Sequence, residues 1–150
     1  MSTLDENTEE RKNSFHKSER LHKRKDIQEL FQKSSSFFIY PFAVKYFFYP
    51  SELKPQLLIS VPKKRFKRAV HRNLIKRRIK ESYRLNKAHF ISELEKNGVS
   101  LNFALIYSAN EILDYKFIEN KLSLVIDRLQ SEGQLFFERS ANEKAGEGNE

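Results

Sequence analysis

Residues 60–87 read SVPKKRFKRAVHRNLIKRRIKESYRLNK. The stretch holds 12 Lys and Arg and a single acid, Glu81, a local charge of +11. Residues 1–59 carry +2 and residues 88–150 carry −5, which leaves the chain at +8. The basic character is therefore one local feature and not a property of the whole surface. The pattern predicts the end of a strand, a basic turn and a long helix. Helix formers run from about Lys67 to Asn86 with no Gly or Pro among them. At about 100° per residue, Arg72, Asn73, Lys76, Arg77, Lys80 and Arg84 fall within an arc of roughly 140°. Val70, Leu74, Ile75, Ile79 and Leu85 fall on the other side, interrupted by His71 and Arg78, so one face is expected to be buried. Like charges along one helix face repel, and a merely solvated face would mix both signs. A polyanion that neutralises the face accounts for the pattern. Lys63, Lys64, Arg65, Lys67 and Arg68 lead into the helix N-terminus, itself favourable to anions.

The length of 150 residues suits one domain with tails. With 39% hydrophobic residues, 13 Phe and 6 Tyr, the core is modest and aromatic. The absence of Cys rules out disulfides, a thiol nucleophile and Cys-based metal sites, and suits a reducing, cytoplasmic setting. MSTLDENTEE at 1–10 lacks the basic and apolar regions of a signal peptide. No apolar run approaches the roughly 20 residues needed to span a bilayer. The pI near 9.6 would suit an anionic membrane surface, but the basic helix lacks the bulky anchors of a membrane-surface helix, so no membrane partner is expected.

In chain order, residues 1–14 are polar and without periodicity, and are expected to be a disordered tail. FHKSERLHKRK at 15–25 is basic with few core formers and reads as an extended arm. A short helix is expected from about Asp26 to Lys33, with Ile27, Leu30 and Phe31 as its apolar stripe. Pro41 divides FFIYPFAVKYFFY at 37–49, so Phe42–Tyr49 is the better strand. Both of its alternating sets are aromatic, and Lys45 among the rings favours an exposed face on which unpaired bases stack. Leu57–Val61 reads as a strand antiparallel to the first. Lys87–Lys96 continues the long helix after a bend, and Asn97-Gly98 closes it. Leu101–Tyr107 reads as a buried strand and Tyr115–Arg128 as a last helix. The domain is expected over 15–137, with 138–150 a second disordered tail. The order of elements implies an α+β fold, a small, mainly antiparallel sheet packed with helices.

No catalytic constellation emerges. His16, His22, His71 and His89 form neither HExxH nor HxH. Only four glycines occur, and none builds a phosphate loop. Carboxylates able to hold Mg²⁺ for nuclease chemistry are missing from the basic region, where Glu81 stands alone. The residues suit binding RNA, and no protein residue is nominated as catalytic or metal-ligating.

VPKKRFKRAVHRNLIKRRIKESYR resembles the protein component of bacterial ribonuclease P. The family pattern is a Lys-Lys pair after a strand, then a helix with R-N-x-x-K-R-x-x-[RK]-E. Here these are Lys63, Lys64, Arg72, Asn73, Lys76, Arg77, Lys80 and Glu81. RLHKRKDIQELFQKS at 20–34 resembles the opening segment and first helix, and LNFALIY with the last helix resembles the C-terminal half. Leu74 and Ile27 depart from the Arg and the aromatic that many members carry.

The resemblance implies a fold like the second domain of ribosomal protein S five, with a left-handed βαβ crossover. It implies an endoribonuclease whose large catalytic RNA uses Mg²⁺ to remove the 5′ leader from precursor tRNA. The protein is then expected to bind that RNA one to one through Lys63, Lys64, Arg65, Lys67, Arg68, Arg72, Asn73, Lys76, Arg77, Lys80 and Arg84. The leader is expected in a cleft lined by Ile27, Phe31, Lys45 and Ser60. In this reading the protein raises substrate and metal affinity, and Mg²⁺ is held mainly by the RNA. The alternative is a structural or ribosomal RNA-binding protein with no associated enzyme. A DNA-binding regulator would need a helix at turn distance before the basic one, where this chain has a strand and Pro62.

Overall fold

A computed structural model describes residues 15–147, so the expected tail at 1–14 lies outside the described residues, as do 148–150. After a single 3-10 turn at Lys17–Glu19, the elements are α1 (Arg24–Lys33), β1 (Ser35–Ile39), β2 (Phe42–Pro50), β3 (Gln56–Ser60), α2 (Ala69–Lys96), β4 (Val99–Tyr107) and α3 (Tyr115–Glu147). They form the expected α+β architecture around one four-stranded sheet of order β1-β2-β4-β3.

β1 and β2 form a hairpin, and β2 pairs antiparallel with β4 from Phe42↔Tyr107 to Pro50↔Val99. The expectation that the Leu57 strand runs antiparallel to the first strand is wrong. β3 lies at the far edge, parallel to β4, with Leu57↔Phe103 and Ile59↔Leu105 in register. Both edges of β2 are already taken, and the 28-residue α2 is the long crossover that a parallel pair requires.

Strand alternation divides the side chains between two layers. Phe42, Val44 and Phe48 of β2 point to the same side as Leu101, Phe103, Leu105 and Tyr107 of β4. There they meet Ile75, Ile79, Tyr83, Phe90 and Leu94 of α2, and Ile118, Leu122, Val125, Ile126 and Leu129 of α3. α1 packs on the opposite face, where Leu21, Leu30 and Ala104 form a small second core with Ile27, Phe47 and Leu58 around it.

α2 buries a different stripe from the expected one. Val70 and Leu85 are 72% and 50% exposed. They lie about 140° and 120° around the helix from Ile75 and Ile79, beyond reach of the sheet. The seam continues instead through Tyr83, Phe90 and Leu94, so residues 69–96 form one unbroken helix. The basic positions Lys76 and Lys80 therefore flank the buried stripe on one side and do not oppose it. Arg78 lies near the seam and donates from Nη1 to the Leu113 carbonyl. Gly98, at φ +64°, closes the helix in the left-handed conformation that Gly tolerates.

α1 begins at Arg24, two residues before Asp26, which lies in its first turn. The last helix also departs from expectation. It runs on past Arg128 to Glu147, so 138–147 is helical and not a disordered tail. Gly133 does not end it. A Cβ there would sit 3.1 Å from Leu94 Cδ2 and from Phe48 Cε1, so the missing side chain lets α3 close on α2 and the sheet. Phe136 then stacks on Phe48 with centroids 5.8 Å apart, an apolar anchor that carries the helix beyond the Gly.

Candidate nucleic-acid interface

The basic turn is built on one buried ring. Phe66 is 7% exposed and packs against Tyr107, centroid to centroid 5.9 Å. The Arg65 and Phe66 amides donate to the Pro62 carbonyl, folding residues 62–66 into a tight turn. Arg72 reaches back from α2 and donates from Nη1 to the carbonyls of Phe66 and Lys67, at 2.7 and 2.9 Å. Arg65 donates to Asn110 Oδ1 at 2.7 Å, fastening the turn to the segment after β4. With the turn held this way, Lys63, Lys64, Lys67 and Arg68 stay exposed. The first turn of α2 has no acidic residue and no side-chain cap at Arg68. Its outward amides add the partial positive charge of a helix N-terminus to the cluster.

Along α2, Asn73 and Arg77 are exposed, and Lys76 and Lys80 are half-buried. Arg84 is bound to Glu81 through two contacts of 2.7 and 3.0 Å. That hydrogen bond holds the Glu81 carboxyl below its ordinary range and raises the Arg84 guanidinium above its own. Arg72 and Arg84 are thus also structural, a role invisible to helix periodicity.

Sequence reasoning missed Arg20 and His22. The stretch read as an extended arm lies along the edge of β3: Arg20 bridges Leu57, and the Leu21 amide donates to the Leu57 carbonyl at 2.9 Å. Arg20, His22, Lys76 and Lys80 line one hollow of about 220 Å³ beside that edge. Burial lowers the pKa of Lys80 from 10.5, and repulsion from Arg20 and Lys76 lowers it further. A signal was present in the sequence, since Leu21 between basic residues marks an apolar anchor.

The α1 side of the sheet holds the residues expected to line a cleft. Four strands contribute a row Phe38–Ala43–Ile106–Ser60, and the next row is Ser36–Lys45–Ala104–Leu58. α1 lies over the second row and leaves the first open. Phe31 on α1 is 44% exposed, with Lys45 Nζ 5.3 Å from its ring centroid. Phe38, unremarked in the sequence, is 59% exposed at the edge of the same face. Ile27 is half-buried and packs against the small core of Leu21, Leu30 and Ala104. Ser60 lies on the far edge strand, two strands from Ala43. Beyond α1, Phe47 and Tyr49 stack at 6.1 Å, and Tyr49 donates to Asn102 Oδ1 at 3.2 Å. The less buried face of β2 is therefore the half-buried set Ala43, Lys45, Phe47, Tyr49.

Among the described residues no group of three or more His, Asp or Glu could hold a metal ion. No helix among them is long and apolar enough to cross a membrane.

Comparison with known proteins places these features. A family model described as Ribonuclease P matches residues 15–130. The ribonuclease P protein component of Porphyromonas gingivalis is 35% identical over 116 residues, 75% of this chain and 84% of that protein. That of Petrotoga mobilis is 28% identical over 123 residues, 79% of this chain and 97% of its own. Among solved structures, the Staphylococcus aureus RNase P protein aligns with a TM-score of 0.57 at 28% identity, covering 75% of this chain and 96% of that one. The Thermotoga maritima RNase P protein aligns at 0.53 and 25% identity, covering 73% and 96%. The matched residues take in the arm, α1, the basic turn and the whole of α2.

Proposed function

The chain belongs to the family of ribonuclease P protein components, and from that premise we propose that it is the protein subunit of a ribonucleoprotein that removes the 5′ leader from precursor tRNA. It binds the catalytic RNA one to one through the basic turn and α2. It binds the leader in the cleft beside α1. The observation that carries this reading is the separation of two surfaces on opposite faces of one sheet. One is dense in cations: Lys63, Lys64, Lys67 and Arg68 at the turn, then Arg77, Lys76 and Lys80 along the helix. The other offers the open ring of Phe31, the Lys45 ammonium over it, and Phe38.

The two surfaces suit two forms of RNA. Folded RNA presents phosphates, and each one neutralised releases counterions. A single-stranded leader presents unpaired bases, which stack on exposed rings with little sequence reading. In this reading Mg²⁺ is held mainly by the RNA. The part left to the protein is to lower phosphate repulsion and to hold the substrate.

The test is cleavage of precursor tRNA by the RNA subunit alone and with this protein at low Mg²⁺. Stimulation is expected, and its absence would sink the proposal. Equal affinity for precursor and mature tRNA would instead favour an RNA-binding protein without an associated enzyme.

A further inference from the structure

One buried group has no part in either surface. Lys87 Nζ lies 2.8 Å from both carboxylate oxygens of Glu19, and the two side chains are 2% and 1% exposed. Glu19 belongs to the arm and Lys87 to the middle of α2, 68 positions apart. Phe15 is sandwiched at the same place. Its ring meets Tyr83 edge-on at 5.6 Å, has the Arg20 guanidinium 5.3 Å from its centroid, and has Lys87 Nζ at 5.9 Å. The residue after Glu19 is Arg20, which shares its hollow with Lys76 and Lys80.

We propose that the Glu19–Lys87 pair is a positioning element, docking the arm so that Arg20 joins Lys76 and Lys80 in a three-cation site for one phosphodiester of RNA. The proposal rests on the reading of α2 as the RNA-docking helix. Three like charges line one hollow beside the helix, and the carboxylates next to them in sequence are engaged elsewhere, Glu19 by Lys87 and Glu81 by Arg84. Were Glu19 free, it would neutralise Arg20 and weaken the site. Bound to Lys87, it supplies a fixed hinge point and leaves the three cations to an outside anion. A buried pair is a weak source of stability because desolvation offsets the attraction, but its geometry is exacting, which suits it to holding a segment in register.

The test is a double-mutant cycle on the full chain, with transcribed RNA subunit as the probe and affinity followed against salt. Loss of one phosphate contact lowers the slope of log K against log salt by about 0.9 and weakens binding roughly fivefold at 0.15 M salt. Arg20→Ala and Lys87→Met are each expected to show that loss, and the double variant no more than either alone. The reversed pair Glu19→Lys with Lys87→Glu is expected to restore it. Additive losses would overturn the positioning role, since Lys87 would then act elsewhere. No loss from Arg20→Ala, with a clear loss from Lys76→Ala, would overturn the three-cation site. No loss from Lys76→Ala either would instead refute the docking surface itself. Near-ultraviolet circular dichroism reports whether each variant folds. Where Lys87→Met does not fold, Lys87→Gln takes its place, and the reversed pair decides: folded but weak in binding, it overturns the proposal.

Discussion

Phe31→Ala removes the ring from the cleft while leaving the basic face untouched. The ring is 44% exposed and lies outside both apolar cores. Truncation of a fully buried Phe costs about 3–5 kcal/mol, so a half-exposed one should cost about 1–2 kcal/mol, a fall in Tm of a few degrees at this size. The fold survives that loss. A base stacked on an aromatic ring contributes about 1–3 kcal/mol, which at about 1.4 kcal/mol per decade is a loss of roughly 5- to 150-fold. The measurement is the Kd of the assembled ribonucleoprotein for precursor tRNA and for mature tRNA, at a divalent-ion concentration too low for turnover. Precursor affinity should fall within that range and mature-tRNA affinity should not move. Equal losses for both RNAs, or no loss for the precursor, would refute the placing of the leader beside Phe31 and Lys45.

Arg72→Glu should weaken binding of the RNA subunit by at least tenfold at moderate salt, because it reverses a charge and frees the carbonyls of Phe66 and Lys67; unchanged assembly would exclude the turn from the docking surface. Tyr83→Phe should raise stability by about 1 kcal/mol in urea unfolding, because the buried hydroxyl has no hydrogen-bond partner among the described residues; destabilisation would show that the hydroxyl is satisfied. Phe136→Ala should cost about 2 kcal/mol by loss of the stack on Phe48 and leave RNA affinity unchanged. Lys80 sets a pH dependence. Its pKa is lowered in the folded chain from 10.5, so between the lowered value and 10.5 the unfolded chain binds more protons and stability rises with pH. RNA affinity should fall over the same window as the charge is lost, and Lys80→Arg should flatten that fall.

Much of this was legible in the sequence. The alternation of Phe42–Tyr49 marked β2 to within a residue, and Asn97-Gly98 marked the end of α2, because strand pleat and helix closure are local. What escaped was set by distant partners. The direction of β3 depends on which edge of the sheet is vacant, and only the length of α2 bears on that. Val70 and Leu85 lie outside the basic arc as Ile75 does, but they stand about 140° and 80° around the helix from it, and burial follows the narrower seam of Ile75, Ile79, Tyr83, Phe90 and Leu94. Gly133 resembles a stop until Phe48 and Leu94 are seen beside it. In the interface, the cations at 63–80 were evident as a cluster, whereas Arg20 joined them only through pairing with β3. Glu19 and Lys87, far apart in sequence, gave no sign of each other. Leu74, noted as a departure from relatives, is half-buried on α2, away from the clamp that Arg72 makes on the turn.

The arm's pairing with β3 has a consequence for the subunit before it meets its RNA. β3 is an edge strand, and edge strands present unpaired N–H and C=O groups to any other chain. The Arg20–Leu57 bridge and the bond from the Leu21 amide occupy that row from outside. The opposite edge is guarded differently, by the short β1 with Ser35 and Ser36 at its start. Repulsion between strongly basic chains fades as salt screens the charge; the arm's backbone pairing covers part of an edge that another chain could otherwise extend, and that cover does not depend on salt.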